Sequence, residues 1–98
     1  MTPRFAVRAT PHFERLARRL TTQHPEFPRL LAQAIDILEA DPANVSRQQN
    51  IKKLAAARAG DGQWRLRLGR FRFVYDIADR EVALLYCGLR REDTYRDH

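Results

Sequence analysis

The chain has 98 residues, the size of one small domain, so we expect residues 1–98 to fold as a single domain around one modest core. Eighteen basic and twelve acidic residues give a formal net charge of +6, which favours a partner such as RNA or DNA. Only Lys52 and Lys53 are lysines; this preference for arginine suits phosphate binding, although a G+C-rich genome also favours arginine. The single cysteine excludes a disulfide within the chain, and the scattered histidines give no metal-ligand spacing. No stretch reaches membrane-spanning length. We therefore expect a cytoplasmic protein with no metal, no cofactor and no membrane contact.

The first part of the chain predicts a strand followed by two helices. Residues 4–10 alternate between apolar and polar side chains, which is typical of a strand. Thr10 and Pro11 then provide the N-cap hydroxyl and the first-turn proline of a helix that we expect to end before a break at residues 21–25. A broad apolar stripe predicts a second helix over residues 26–40, which an Asp-Pro pair ends.

The rest of the chain predicts strands. Residues 51–54 suggest a short extended segment, and residues 64–68 and 71–77 alternate as two further strands. The nearly continuous apolar run at 82–87 predicts a strand in the interior of the sheet. The predicted fold is therefore α+β, in the order β-α-α-β-β-β, with a helical hairpin packed on one face of an antiparallel-rich sheet.

The stretch WRLRLGRFRF holds four arginines and no acidic residue. The simplest hairpin register pairs Leu68 with Phe71. Gly69 and Arg70 then form a two-residue turn, and glycine at its first position suits a type II′ turn. Arg70 is therefore predicted to be a turn residue rather than a member of either strand face.

This register divides the side chains of the hairpin between two faces. The residues predicted to point to the core are apolar or aromatic: Trp64, Leu66, Leu68, Phe71, Phe73 and Tyr75. On the other face Arg67 lies opposite Arg72, with Arg65 alongside, although like charges at such a pair destabilise a sheet by roughly some tenths of a kcal/mol. An anion site, with RNA or DNA phosphate as the anion, would explain this cost; the alternative is a solvated face whose arginine stems cover apolar surface.

A second basic cluster follows the last predicted strand. Arg90 and Arg91 leave the sheet there, and Tyr95 comes a few residues later. A tyrosine in this position can stack on a base or donate a hydrogen bond, or it can simply pack on the edge of the sheet.

Together these residues resemble the RelE/ParE family of type II toxins. The resemblance is carried by Lys-Leu at 53–54, by residues 64–77 and by ArgArgGluAspThrTyrArg at 90–96, in the same order over nearly the whole chain. It implies a RelE-like microbial RNase fold and a cognate antitoxin as partner. For the RelE branch it also implies a ribosome-dependent endonuclease that cuts mRNA in the ribosomal A site through attack by the RNA 2′-OH.

The resemblance also implies roles for particular residues. Arg65 and Arg67 take the two basic positions of the first hairpin strand, and Arg72 matches the arginine that binds phosphate. The C-terminal arginine proposed as general acid, and the tyrosine that stacks on the substrate, correspond to Arg90 or Arg91 and to Tyr95. These residues, with Arg65, Arg67 and Arg72, form the predicted catalytic and RNA-binding set.

One departure from the family concerns the general base. RelE-type enzymes have lysines where this chain has Arg65 and Arg67, and arginine is a poor base because it stays protonated in proteins. Lys52, Lys53 or His98 could take that role. Electrostatic stabilisation by several arginines could also support a slow nuclease without such a base.

Two other functions remain open from the sequence. The ParE branch inhibits DNA gyrase by binding protein and needs no active site, so the arginines would then form an interaction surface. An inactive toxin-like domain would bind only its antitoxin. The combined set of arginines and Tyr95 favours the nuclease.

Overall fold

The computed structural model describes residues 4–54 and 61–90, so Arg91, Tyr95 and His98 lie outside the described residues. Within these residues the elements in chain order are β1 (Ala6–Ala9), α1 (Pro11–Gln23), α2 (Phe27–Ala40), β2 (Ile51–Lys53), β3 (Trp64–Leu68), β4 (Phe71–Ala78) and β5 (Glu81–Leu89). The predicted α+β order is confirmed, and the short extended segment forms the strand β2.

The strands form one mixed sheet in the order β1-β5-β4-β3-β2. Neighbours from β2 to β5 are antiparallel, whereas β1 pairs with β5 in parallel. The apolar strand β5 therefore lies in the interior of the sheet, as its composition predicts, and β4 is the middle strand.

The start of α1 is fixed by Thr10. Its side-chain oxygen accepts a hydrogen bond from the backbone N–H of Phe13 at 3.2 Å, which satisfies one of the free donors of the first turn. Its hydroxyl donates to the carbonyl of Leu84 at 3.0 Å. One side chain thus caps the helix and attaches it to β5.

The predicted end of α1 is wrong, because the helix continues through both threonines to Gln23. The hydroxyls of Thr21 and Thr22 donate to the carbonyls of Ala17 and Arg18, at 2.8 and 3.1 Å. These bonds to the preceding turn let threonine remain within a helix that its intrinsic preference would end.

The core lies between the two helices and one face of the sheet. Phe27 of α2 packs against two aromatic rings of β4, with centroids 5.0 Å from Phe71 and 6.0 Å from Phe73. The hydroxyl of the buried Tyr75 donates to the carbonyl of Pro42 at 2.7 Å, so this polar group is satisfied inside the core. In the segments 4–54 and 61–90, no helix has the length and apolar character that crossing a membrane requires.

Candidate functional site

The hairpin of β3 and β4 has the predicted register. Leu68 pairs with Phe71, and Arg67 pairs with Arg72. Gly69 has a φ of +56°, while Arg70 keeps a negative φ, which is the sign pattern of a type II′ turn. The alternation therefore separates the hairpin into a face that packs under the helices and a face turned away from them.

The inward row is buried as predicted. Leu66, Phe71, Phe73 and Tyr75 are fully buried, and Trp64 and Leu68 pack against the core from its edge. These contacts fix the hairpin, and so they also fix the direction of the arginines that alternate with them.

The face turned away from the helices consists of rows of residues that pair across the strands. One row runs from β2 to β5 through Lys52, Arg65, Val74 and Tyr86. The next row holds Arg67, Arg72 and Gly88. We call Lys52, Arg65, Arg67, Arg72 and Tyr86 the basic face.

The three arginines of the basic face are held by their stems. The Nε atoms of Arg65, Arg67 and Arg72 are all buried, although each side chain as a whole is only half-buried. Packed stems reduce the conformational entropy that a ligand would otherwise have to remove from these long side chains. The arginines therefore present their charge from defined positions.

Tyr86 is a member of the basic face that the sequence does not predict. Val74 pairs with Tyr86 but Tyr75 pairs with Leu84, so Leu85 is an extra residue that forms a bulge in β5. Strict alternation from Leu84 would send Tyr86 into the core. The bulge instead turns it outward, where its ring centroid lies 5.6 Å from the guanidinium carbon of Arg72.

The two lysines considered as general base lie on opposite faces. Lys52 pairs with Arg65 on the basic face. Lys53 pairs with Trp64, and its Nζ lies 5.5 Å from the centroid of the indole ring, which packs against the core. Of these two lysines, the structure brings only Lys52 to the arginines.

Arg70 is turned toward the helices, in agreement with its predicted place in the turn. Its guanidinium forms an ion pair with Glu26 and lies 3.2 Å from Nδ1 of His24. The hydrogen bond from Arg70 lowers the pKa of Glu26, and the N–H of Glu26 itself also favours the charged carboxylate. Arg70 thus anchors the turn to the start of α2 and is not part of the basic face.

Arg90 extends the basic face at the end of β5. Its backbone N–H donates to the carbonyl of Arg70 at 2.6 Å, and its side chain is exposed. It follows Gly88 by two residues, which is the spacing of side chains on the same side of an extended chain. Arg91 and Tyr95, the other C-terminal residues of the predicted set, and the candidate base His98 lie outside the described residues.

The opposite end of the same sheet face is closed by an acidic residue and a loop. Asp76 accepts backbone hydrogen bonds from Gln63 at 2.7 Å and from Gly62 at 3.4 Å. Gly62 has a φ of +92° and lies so close to Val74 that a side chain would not fit. The basic face is therefore bounded on this side, and it continues toward Arg90.

Two cavities formed by residues within 4–54 and 61–90 lie away from the basic face. An apolar groove of about 580 Å³ lies elsewhere, between β1 and the two helices, and a smaller cavity of about 360 Å³ lies beside Asp76 and Glu81. Neither of these two contains an arginine of the basic face. A row of cations across an open sheet suits a polymer that lies along the surface.

Comparison with known proteins identifies the fold. No protein-family model matches the chain, and the search of curated proteins found no match. A chain of the toxin–antitoxin complex RelBE2 from Mycobacterium tuberculosis is similar to it, with 26% identity, a TM-score of 0.62, and coverage of 89% of this chain and 99% of that chain. A chain of the archaeal RelE–RelB complex from Pyrococcus horikoshii OT3 is also similar, with 24% identity, a TM-score of 0.65, and coverage of 90% of this chain and 97% of that chain.

These matches show that the protein is a small α+β domain similar in fold to chains of toxin–antitoxin and RelE–RelB complexes. More particularly, the chain has the RelE-like fold, and its predicted resemblance to RelE toxins is confirmed by structural similarity over nearly the whole length.

Proposed function

We propose that the protein is the toxin of a type II toxin–antitoxin system and that it is a ribosome-dependent endoribonuclease, which cleaves mRNA in the ribosomal A site. The observation that carries this proposal is the Arg67–Arg72 cross-strand pair with Arg65 in the adjacent row. Guanidinium groups on neighbouring strands of one sheet face can bind the same phosphate through charge-assisted hydrogen bonds. The RelE-like fold supports RNA as the source of that phosphate.

The reaction would use the nucleophile of the RNA itself. The 2′-oxygen attacks the adjacent phosphorus as its proton passes to a base. The bond to the 5′-oxygen breaks, and the leaving oxygen takes up a proton, so the products are a cyclic phosphate and a 5′-hydroxyl. Arg65, Arg67 and Arg72 would bind the phosphate and stabilise the charge that develops on its oxygens.

Lys52 is the candidate general base among the described residues, because it lies on the basic face next to Arg65. Arg90, at the end of the same face, would stabilise the leaving oxygen. Arg90 or Arg91 is the candidate for the general acid, Tyr95 for the stacking residue, and His98 for an alternative base. The protein's role would place it in the cytoplasm with a cognate antitoxin.

An antitoxin would inhibit the protein by covering the basic face. Lys52, Arg65, Arg67 and Arg72 would attract an acidic or amphipathic segment of such a partner, which would exclude RNA from the same surface. The two solved complexes contain toxins with their antitoxins, which supports a partner of this kind.

The test is to induce the protein in cells without an antitoxin and to map mRNA 5′ ends. We expect new ends inside translated codons, in phase with the reading frame. Arg72→Ala should abolish these cuts. Arg70→Ala is the matched control, because it removes an arginine two residues away whose side chain contacts Glu26 instead of the basic face, and it should still cut.

Other outcomes would contradict the nuclease. Intact mRNA together with an SOS response and stalled replication would identify a gyrase inhibitor. Intact mRNA with normal growth would indicate a domain that only binds its antitoxin. Cutting by Arg72→Ala at the parental rate would remove Arg72 from the active site.

A further inference from the structure

Two features of β5 place an aromatic ring beside Arg72. The bulge at Leu85 turns Tyr86 outward, and Gly88 leaves room for its ring. A Cβ on Gly88 would lie 2.5 Å from the hydroxyl oxygen of Tyr86 and 3.0 Å from ring carbon Cζ. Because Gly88 pairs with Arg72 across the strands, the ring of Tyr86 fills the position where a side chain opposite Arg72 would otherwise stand.

The contact between this ring and Arg72 differs in kind from the ion pairs that three other arginines form. Arg4, Arg8 and Arg70 form ion pairs with glutamates. In each pair the carboxylate neutralises the charge of the arginine and occupies N–H donors of its guanidinium. Within residues 4–54 and 61–90, Arg72 makes no ion pair, and its buried Nε has no hydrogen-bond partner. Its guanidinium carbon instead lies 5.6 Å from the centroid of the Tyr86 ring.

This difference has a chemical consequence. An aromatic face attracts a guanidinium through its quadrupole and leaves the in-plane N–H donors of the guanidinium free for other partners. A carboxylate would hold the same group but would neutralise it and occupy those donors. A ring is therefore the partner that holds an arginine in place and still leaves it able to bind an anion.

We infer that Tyr86 is a positioning residue of the proposed site, which holds the guanidinium of Arg72 in the orientation that binds the RNA phosphate. The inference rests on the proposed function. Tyr86 acts through Arg72 and takes no part in the bond-making step. It also reduces the cost of placing Arg72 opposite Arg67, because the cation–π contact stabilises one of the two like charges.

The test measures RNA binding by the purified full chain, with a single-stranded RNA whose 2′-O-methyl groups prevent cleavage as the probe. Tyr86→Leu should weaken binding about threefold to tenfold, which is the range expected for loss of one cation–π contact. Tyr86→Phe keeps the aromatic face and should bind within about twofold of the parent. RNA binding by Tyr86→Leu should also depend less on salt. The slope of log affinity against log salt should be smaller in magnitude by up to about 0.7, the value for one phosphate contact on a single strand.

A double-mutant cycle separates positioning from a general structural effect. If Tyr86 acts through Arg72, Tyr86→Leu should change RNA affinity very little in a chain that already carries Arg72→Ala. Additive losses would overturn the inference. Parental affinity in Tyr86→Leu would overturn it as well.

Gly88→Ala provides a second, independent variant. The new methyl group would displace the far end of the Tyr86 side chain, which can move, so the fold should be kept while the ring leaves Arg72. Binding should weaken as in Tyr86→Leu, with a parental circular dichroism spectrum. Parental affinity in a folded Gly88→Ala chain would contradict the inference.

The same chains distinguish failure of the inference from failure of the proposed function. A parent that binds RNA and cuts mRNA, together with a Tyr86→Leu variant that matches it in both, would remove only the inference. A parent that neither binds RNA nor cuts mRNA would overturn the proposed function and the inference with it.

Discussion

Arg72 has three neighbours that together define its chemistry. Arg67 stands opposite it on β3, Gly88 stands opposite it on β5, and the ring of Tyr86 lies above the space that Gly88 leaves. An arginine with this environment is held by a ring and repelled by a like charge. Both conditions favour an anion as its next partner.

The general base is tested by the two lysines of β2. Lys52→Ala should slow cleavage on mRNA-programmed ribosomes by roughly 100-fold or more, the usual range for loss of a general base. Lys52→Arg should be similarly slow, because it keeps the charge but cannot accept a proton. Lys53→Ala should remain within a few-fold of the parent, since its side chain lies against Trp64 on the other face.

A different order of effects would identify another mechanism. Full activity of Lys52→Arg would mean that position 52 contributes charge only. Full activity of Lys52→Ala would leave His98 or purely electrostatic catalysis as the explanation. A greater loss in Lys53→Ala would contradict the assignment of Lys52.

At the scale of elements, the hairpin of β3 and β4 links stability to the site. Its inward residues Leu66 and Phe73 are fully buried, and its outward residues Arg65, Arg67 and Arg72 form most of the basic face. The turn that joins the strands sets the register for both faces. A change in the backbone geometry of this turn is therefore expected to affect the core and the site together.

Gly69 is the residue of the turn that tests this link. Its φ of +56° is unfavourable for a side chain, and a Cβ there would lie 3.4 Å from Cδ1 of Leu30. Gly69→Ala should lower the free energy of unfolding by about 1 kcal/mol or more, measured by urea denaturation. Gly69→Asn is the control and should lose less, because asparagine tolerates positive φ better than alanine. Equal stability of Gly69→Ala and the parent would contradict the turn geometry.

At the scale of the whole molecule, ion pairs attach the sheet to the helices. Arg70 joins the β3–β4 turn to Glu26, at the N-terminal boundary of α2, and Arg4 joins the segment before β1 to Glu39 near its end. These pairs are exposed, so each adds little to stability. The pair of Arg70 and Glu26 also makes stability depend on pH, because Arg70 lowers the pKa of Glu26.

The pair of Arg70 and Glu26 gives the sign of that dependence. The hydrogen bond from Arg70 holds the pKa of Glu26 below its ordinary value of 4.5, so the folded chain binds this proton less readily than the unfolded chain. The stabilisation is present above pH 4.5 and is lost as the pH falls through the lowered pKa. Glu26→Gln should therefore show a smaller loss of stability between about pH 5 and pH 3 than the parent in urea titrations.

A second acidic residue provides the comparison for this measurement. Partial burial raises the pKa of Asp41, but hydrogen bonds from Ser46 and Val45 outweigh that effect and lower it overall. Asp41 should therefore contribute acid sensitivity that remains in Glu26→Gln. An unchanged pH profile in Glu26→Gln would show that its ion pair with Arg70 does not persist in solution.

Sequence reasoning predicted the hairpin because two independent signals agree there. The alternation around Arg65 and Arg67 sets the faces, and Gly69 sets the turn, so the pairing of Arg67 with Arg72 follows. The end of α1 was not predictable in this way, because the threonines Thr21 and Thr22 favour either a break or a helix according to what their hydroxyls bond.

The remaining parts of the site depend on contacts between distant segments. The pairing of β2 with β3 decides which of Lys52 and Lys53 faces outward. The residues between these two strands contain no pattern that sets their register. The direction of Tyr86 follows from a bulge within an apolar run in which every residue suits a strand. No local pattern marks Leu85 as the extra residue.

That extra residue changes which positions of β5 face the core: even-numbered residues face it before the bulge, and odd-numbered residues face it afterwards. Without Leu85 as a bulge, the ladder would pair Tyr86 with Phe73 and Cys87 with Arg72; with it, the tyrosine meets solvent and the cysteine is buried. The bulge thus lets Leu84 and Cys87 both face the core although they are three positions apart, and it leaves Tyr86 between them on the outer face. Removal of Leu85 would restore a regular ladder in which Tyr86 still pairs with Val74, so the extra residue lengthens β5 without taking the ring away from Arg72.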